Sequence, residues 1–138
     1  MEPNSIFVPV SALVMLTFVV LLLIPYKRIM ASLKNTVTAE DFAYGESKRV
    51  PGDVSLPNRN MMNLLEIPVL FYVLCVILFI TGNVVPFFVN MAWLYFALRL
   101  AHSVVHLTYN KVLHRLAFFA GSNLVLLIMW IQFIRIIL

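Results

Sequence analysis

The chain has 138 residues, of which 62% are hydrophobic and only 12% are charged, and its mean hydropathy is strongly positive. A soluble domain carries about 25% charged residues, so a core solvated only by water is excluded and lipid is the solvent this composition requires. The formal charge of +4 comes from basic residues scattered between apolar runs without interleaved aromatics, which argues against a nucleic-acid surface.

The first apolar run, Ile6 to Tyr26, has no charge and meets the requirement of about 20 apolar residues for a spanning helix. A signal peptide is the competing reading, but Met1, Glu2 and Pro3 give no basic start and no small-residue cleavage site precedes Lys27 and Arg28. A polar connection over about 27–58 follows, with Lys27, Arg28, Lys34, Lys48 and Arg49 among Glu40, Asp41, Glu46 and Asp53. The second span is expected over about 60–80, with Glu66 near its start. Thr81, Gly82, Asn83 and Pro86 then make a short turn. The third span is expected over about 87–109 and contains Arg99; the fourth, over about 116–136, is uncharged until Arg135. The expectation is one all-α domain, 1–138, built as a bundle of four transmembrane helices. Basic residues gather in the first and third connections, which the positive-inside rule assigns to the cytoplasm. Both termini are then external, with Arg135 as the one residue against it. Cys75 stands alone inside an apolar run, so there is neither a disulfide framework nor a cluster of soft metal ligands.

Ionisable groups in hydrocarbon are costly, by about 2.5–3.5 kcal/mol at a helix centre on insertion scales, so Glu66 and Arg99 need partners or a ligand. At helical spacing Arg59, Asn63 and Glu66 follow i, i+4, i+7, and Arg99, His102 and His106 follow i, i+3, i+7. Each set is expected on one helix face. Glu66 and Arg99 as a buried pair, with Asn63 and the histidines bonding between helices, is one reading. Its weakness is stoichiometry, because one carboxylate does not compensate Arg59, Arg99 and Arg115 together, and the surplus points to a bound anion. His102 and His106 have ligand spacing for zinc, but no third His, Cys or placed acid joins them, so no metal is expected. His114 reads as an interfacial residue. Tyr72, Trp93, Tyr95 and Trp130 read as packing or interface residues.

The pattern R-x-x-x-N-x-x-E at Arg59, Asn63 and Glu66, with Ile67 and Pro68 after it, stands in register with Arg99-Leu-Ala-His102, His106 and Arg115. On these residues the chain resembles the membrane-associated proteins in eicosanoid and glutathione metabolism (MAPEG), over essentially its full length. The resemblance implies a homotrimer of four-helix subunits with glutathione bound between neighbours near the cytoplasmic face. Arg59, Asn63 and Glu66 match the positions holding the polar ends of the peptide, and Arg99, His102 and His106 match third-helix positions lining the same site. Arg115 matches the arginine near the thiol and is the expected catalytic residue. Lys27 or Arg28 stands for a first-helix basic residue reaching the ligand, and Arg28 is the candidate taken.

Glutathione carries two carboxylates, one ammonium and one thiol, a balance that Arg59, Arg99 and Arg115 with Glu66 answer. Guanidinium is also the better fork for a carboxylate. The implied activity is a transferase or peroxidase acting on lipophilic electrophiles or hydroperoxides, in a detoxifying role. Leu116 stands where prostaglandin E synthase has a hydroxyl, His106 where relatives often have tyrosine, and Met62 where some have a second arginine. These departures speak against prostaglandin isomerisation and leave conjugation and peroxide reduction. The alternatives are a noncatalytic lipid-binding scaffold and a proton or solute pathway. The expected location is multi-pass in a bacterial inner membrane rather than the endoplasmic reticulum, in contact with membrane lipid and a lipophilic substrate, with no nucleic-acid partner.

Overall fold

In the computed structural model, which describes residues 2–138, four helical segments are long and apolar enough to cross a membrane: Pro3–Leu33, Gly52–Ile80, Pro86–Leu107 and Val112–Ile137. The α-helices are α1 (Phe7–Leu33), α2 (Gly52–Leu65), α3 (Pro68–Ile80), α4 (Pro86–Leu107) and α5 (Val112–Ile137), and no strand forms among the described residues.

The helices outrun the apolar runs that mark them. The 27 residues of α1, at 1.5 Å each, extend about 40 Å against a hydrocarbon thickness of about 30 Å. Its last turns therefore carry Lys27 and Arg28 out to the interface. α2 likewise begins at Gly52, ahead of the apolar part of the second span, so the polar connection contracts to residues 34–51.

The second span is not one helix. Pro68 has no N–H to give the Leu64 carbonyl and its ring crowds that carbonyl. α2 accordingly stops at Leu65, Glu66 takes φ −78 and ψ −86, and α3 restarts with Pro68 in its first turn. This corrects the one-face expectation for Arg59, Asn63 and Glu66: the first two share α2, while Glu66 leaves the helical register at the break and is exposed.

The core runs the length of the bundle. Leu13 and Val20 of α1, Leu64 of α2, Phe71, Leu74 and Leu78 of α3, Phe88 and Ala92 of α4, and Met129 and Phe133 of α5 are buried together. On α4 the buried stripe continues at i+3 and i+4 spacing through Phe88, Ala92, Tyr95, Arg99, His102 and His106. It is apolar at the α3–α4 end and polar at the α4–α5 end, and this gradient sets where a site can form. Outward faces carry large exposed apolar residues such as Leu22, Ile80, Leu113 and Ile131, as a lipid-solvated bundle requires.

A second, small core holds the 34–51 connection: Ala31 of α1, Val37 and Val54 of α2 are buried, with Phe42 and Val50 against them. At the other end of the bundle Gly82, with φ +69, closes α3. Its left-handed backbone lets the Asn83 N–H reach the Leu78 carbonyl at 2.9 Å, and glycine takes that conformation without strain.

Candidate functional site

A cleft of about 330 Å³ opens where α2, α4 and α5 meet, lined by Arg59, Asn63, His106, Val112, Arg115, Leu116 and Phe119. Four of the expected site residues therefore converge: Arg59 and Asn63 from α2, His106 from the end of α4 and Arg115 from the first turn of α5. The site lies at the end of the bundle that carries the first and third connections. No carboxylate lines it.

Each side chain is placed by local geometry. Asn63 donates its amide to the Arg59 carbonyl one turn earlier at 3.0 Å. Arg115 is half-buried and donates from Nη1 to Asn110 Oδ1 at 2.9 Å. Its backbone carbonyl lies 3.0 Å from His102 Nδ1; a carbonyl only accepts, so Nδ1 is the protonated nitrogen. His106 is 2% exposed, and neither ring nitrogen has a protein partner.

Arg99 and His102 do not line the cleft; they sit behind it. Arg99 is wholly buried, donating from Nε to Tyr95 Oη at 3.1 Å and from Nη2 to Asn123 Oδ1 at 3.0 Å. Its guanidinium lies 5.2 Å from the ring centre of Phe119, a residue that also lines the cleft, and His102 lies 5.7 Å from the same ring. Arg99 Nη1 and His102 Nε2 remain without a protein partner. Arg99 makes no ion pair with Glu66: among the described residues the salt bridges are Lys27–Asp53, Arg28–Glu46 and Arg49–Asp41. The buried-pair reading of Glu66 and Arg99 is thereby corrected, the break at Pro68 having turned the carboxylate to the outside.

Arg28 lies elsewhere. It pairs with Glu46 at 3.3 Å and stacks 4.4 Å from the centre of the Phe42 ring, within the small core of the 34–51 connection. His114 is exposed and meets the Tyr109 hydroxyl at 3.0 Å, outside the cleft lining.

Several residues that serve this site escaped sequence reasoning. Tyr95 is more than packing, since its hydroxyl accepts from Arg99; the i, i+4 spacing was its available signal. Asn123 had none, because no local pattern tells which residue of α5 faces Arg99. Asn60 is buried and accepts from Ser103 Oγ at 3.3 Å, tying α2 to α4. Asn110, which lies between α4 and α5 and accepts from Arg115, was not singled out.

Four apolar spans around a polar end define an integral membrane protein, with a cation-lined cleft free of carboxylates within its bundle. The sequence matches the MAPEG family model over residues 6–135, nearly the whole chain, and the protein belongs to that family. Its membership supports a glutathione-related membrane function in general. No curated protein and no solved structure matches the chain.

Proposed function

We propose that this protein is a glutathione-dependent membrane transferase or peroxidase for lipophilic electrophiles or hydroperoxides, working as a homotrimer. One observation carries the reading: Arg59 and Arg115 share a cleft with Asn63 and His106, Arg99 stands behind it, and among the described residues none of the three arginines has a carboxylate partner. A buried charge without a counter-charge is expensive in a medium of low dielectric constant, which applies in full to Arg99; with Arg115 half-buried and Arg59 exposed at the cleft, the surplus supports an anion as the ligand.

Glutathione fits part of this single-chain cleft directly. Guanidinium groups suit its carboxylates and its ionised thiol, and the unpartnered nitrogens of His106 offer further polar contact. The ammonium needs a carboxylate, and Glu66, the candidate, is exposed outside the cleft. A trimer resolves this if Glu66 meets the ligand held by a neighbouring subunit. The cleft volume is at the low end of the range of about 300–1,000 Å³ for small-molecule sites, as suits a pocket completed by a second chain.

Bound glutathione supplies a thiol that, once ionised, forms a carbon–sulfur bond to an electrophile as its leaving group departs, or with a second thiol reduces a hydroperoxide to alcohol and water, leaving the disulfide. The protein's part is to favour the ionised sulfur. A free thiol titrates near 8.5, and a neighbouring cation lowers that by about one unit or more. Arg115, half-buried at the cleft, is the residue assigned to this. Lipophilic partners reach such a site through the bilayer, and we assign the cleft to the cytoplasmic side of a bacterial inner membrane.

A noncatalytic lipid-binding scaffold draws support from a second feature, an apolar groove of about 560 Å³ along α4 lined by Trp93, Phe96, Ala97, Leu100, Ala101 and Val104 among others. The two readings part on turnover. With purified protein, glutathione and either a halodinitrobenzene or an organic hydroperoxide, the enzyme reading expects product formation that saturates with glutathione. Binding of lipid with no turnover of either substrate would favour the scaffold.

A further inference from the structure

The connection between α4 and α5 is four residues, Thr108–Lys111, and Asn110 within it has φ +48. This is the left-handed region, which non-glycine residues enter rarely and asparagine more readily than most. The backbone there closes α4: the Thr108 N–H donates to the Val104 carbonyl at 3.0 Å and the Asn110 N–H to the Val105 carbonyl at 2.8 Å. Glycine performs that backbone task at many helix ends. At position 110 there is a side chain instead, and its amide oxygen accepts from Arg115 Nη1 at 2.9 Å.

Arg115 is therefore tethered at two points, its carbonyl by His102 Nδ1 of α4 and its guanidinium by Asn110 Oδ1 of the connection. The charged and titratable groups around it among the described residues are Arg59 from α2 and His106 from α4 in the cleft, His102 behind its carbonyl, Lys111 and Tyr109 of the connection, and His114 of α5, which meets the Tyr109 hydroxyl. None is a carboxylate. An amide oxygen orients a guanidinium and leaves its charge intact, whereas a carboxylate would hold it as firmly and cancel the charge the cleft presents.

We propose that Asn110 is the positioning residue for Arg115, its left-handed cap aiming an amide oxygen that fixes the guanidinium at the cleft without neutralising it. The kinetic consequence rests on the thiolate role proposed for Arg115; the structural one does not. Two substitutions separate the parts of the claim. Asn110→Gly keeps the left-handed backbone and removes the acceptor. Asn110→Asp keeps an acceptor and adds the cancelling charge.

The test compares both variants with wild type in glutathione conjugation of a halodinitrobenzene across pH, and in ¹⁵N relaxation of the Arg115 side chain in detergent micelles. Asn110→Gly is expected to fold, to keep glutathione affinity within about threefold, and to lose about tenfold or more in kcat, since small misplacements of a reacting group are costly in rate. Its Arg115 signal is expected to become more mobile. Asn110→Asp is expected to keep Arg115 ordered while shifting the alkaline-rising limb of the pH–rate profile upward by about one unit, as a nearby negative charge raises a thiol pKa. Wild-type kinetics and unchanged Arg115 mobility in Asn110→Gly would overturn the proposal. If wild type neither binds nor turns over glutathione, the functional reading fails, and the mobility comparison alone still decides whether Asn110 holds Arg115.

Discussion

The 34–51 connection and the α2–α4–α5 cleft treat charge in opposite ways. In the connection and the helix ends that flank it, three of the five cations are matched by acids, Lys27 with Asp53, Arg28 with Glu46 and Arg49 with Asp41, while Lys34 and Lys48 make no salt bridge among the described residues. At the cleft, Arg59 and Arg115 face no carboxylate, and Arg99 behind them is buried with only neutral acceptors. The paired region lies where water screens charge and pairing contributes little; of the unpaired cations Arg59 is exposed and Arg115 half-buried at the cleft, while Arg99 is wholly buried, where a charge without a counter-charge is costly. Charge in the first region serves local structure, and charge in the second is what the proposed function assigns to a ligand.

The contrast breaks most visibly at Arg115. Arg115→Ala is expected to lower kcat for halodinitrobenzene conjugation by about a hundredfold or more, while glutathione Kd stays within about tenfold, or roughly 1.4 kcal/mol. Such a split marks a group that acts on developing charge; an equal loss in Kd and kcat/KM would make Arg115 a simple anchor.

Arg59 and Glu66 are exposed in the single chain, and with ligand and a neighbouring subunit covering them Arg59→Ala and Glu66→Ala are expected to weaken binding itself, by about 2–5 kcal/mol as for truncation of a buried charged contact, read by calorimetry. The Glu66 effect requires a neighbouring subunit, so it should accompany a trimeric mass in mild detergent. A protein that stays monomeric in several detergents and in bilayers would remove Glu66 from the site.

Arg28→Ala tests the paired side. Loss of its half-buried ion pair and its contact with Phe42 is expected to lower stability by about 0.5–1 kcal/mol and to loosen residues 34–51 in hydrogen exchange, with a smaller change in glutathione Kd than Arg59→Ala gives. An equal change in Kd would move Arg28 into the ligand-binding set.

The smallest effect concerns acid. The Ser47 hydroxyl at 2.6 Å and the Thr38 backbone N–H at 2.9 Å hold the Asp41 carboxyl below its usual 3.8, with Arg49 adding to this and burial opposing it. A lowered folded-state pKa contributes stability that is present above the unfolded value and is lost as pH falls through the folded one. The connection is therefore expected to hold at neutral pH and to loosen only below about pH 4, and Asp41→Asn to abolish that dependence in proteolysis of residues 36–50.

The four spans were legible because lipid solvation acts on whole apolar runs, and a run such as Ile6 to Tyr26 needs no knowledge of its neighbours. The stripe Arg99, His102, His106 was legible for the same periodic reason, and all three are buried on one face of α4. Reading failed where the outcome depends on a single backbone event. Pro68 was visible in the sequence, yet the helical spacing of Arg59 and Asn63 was carried on to Glu66, two residues before it, where the break already puts the carboxylate outside. Reading also failed where the partner is distant in sequence: Asn123 for Arg99, and Ser103 for Asn60. The start of α2 at Gly52 was hidden because its first residues are too polar to register as part of a span.

Titration of purified wild-type protein and Arg115→Ala with glutathione at neutral pH, following heat and thiolate absorbance together, tests the central claim that the unpaired cations form a thiol-activating anion site. The account expects saturable binding in both proteins and a thiolate signal in wild type alone. Saturable binding without any thiolate signal in wild type would contradict the role of Arg115, and no binding in either protein would contradict the site.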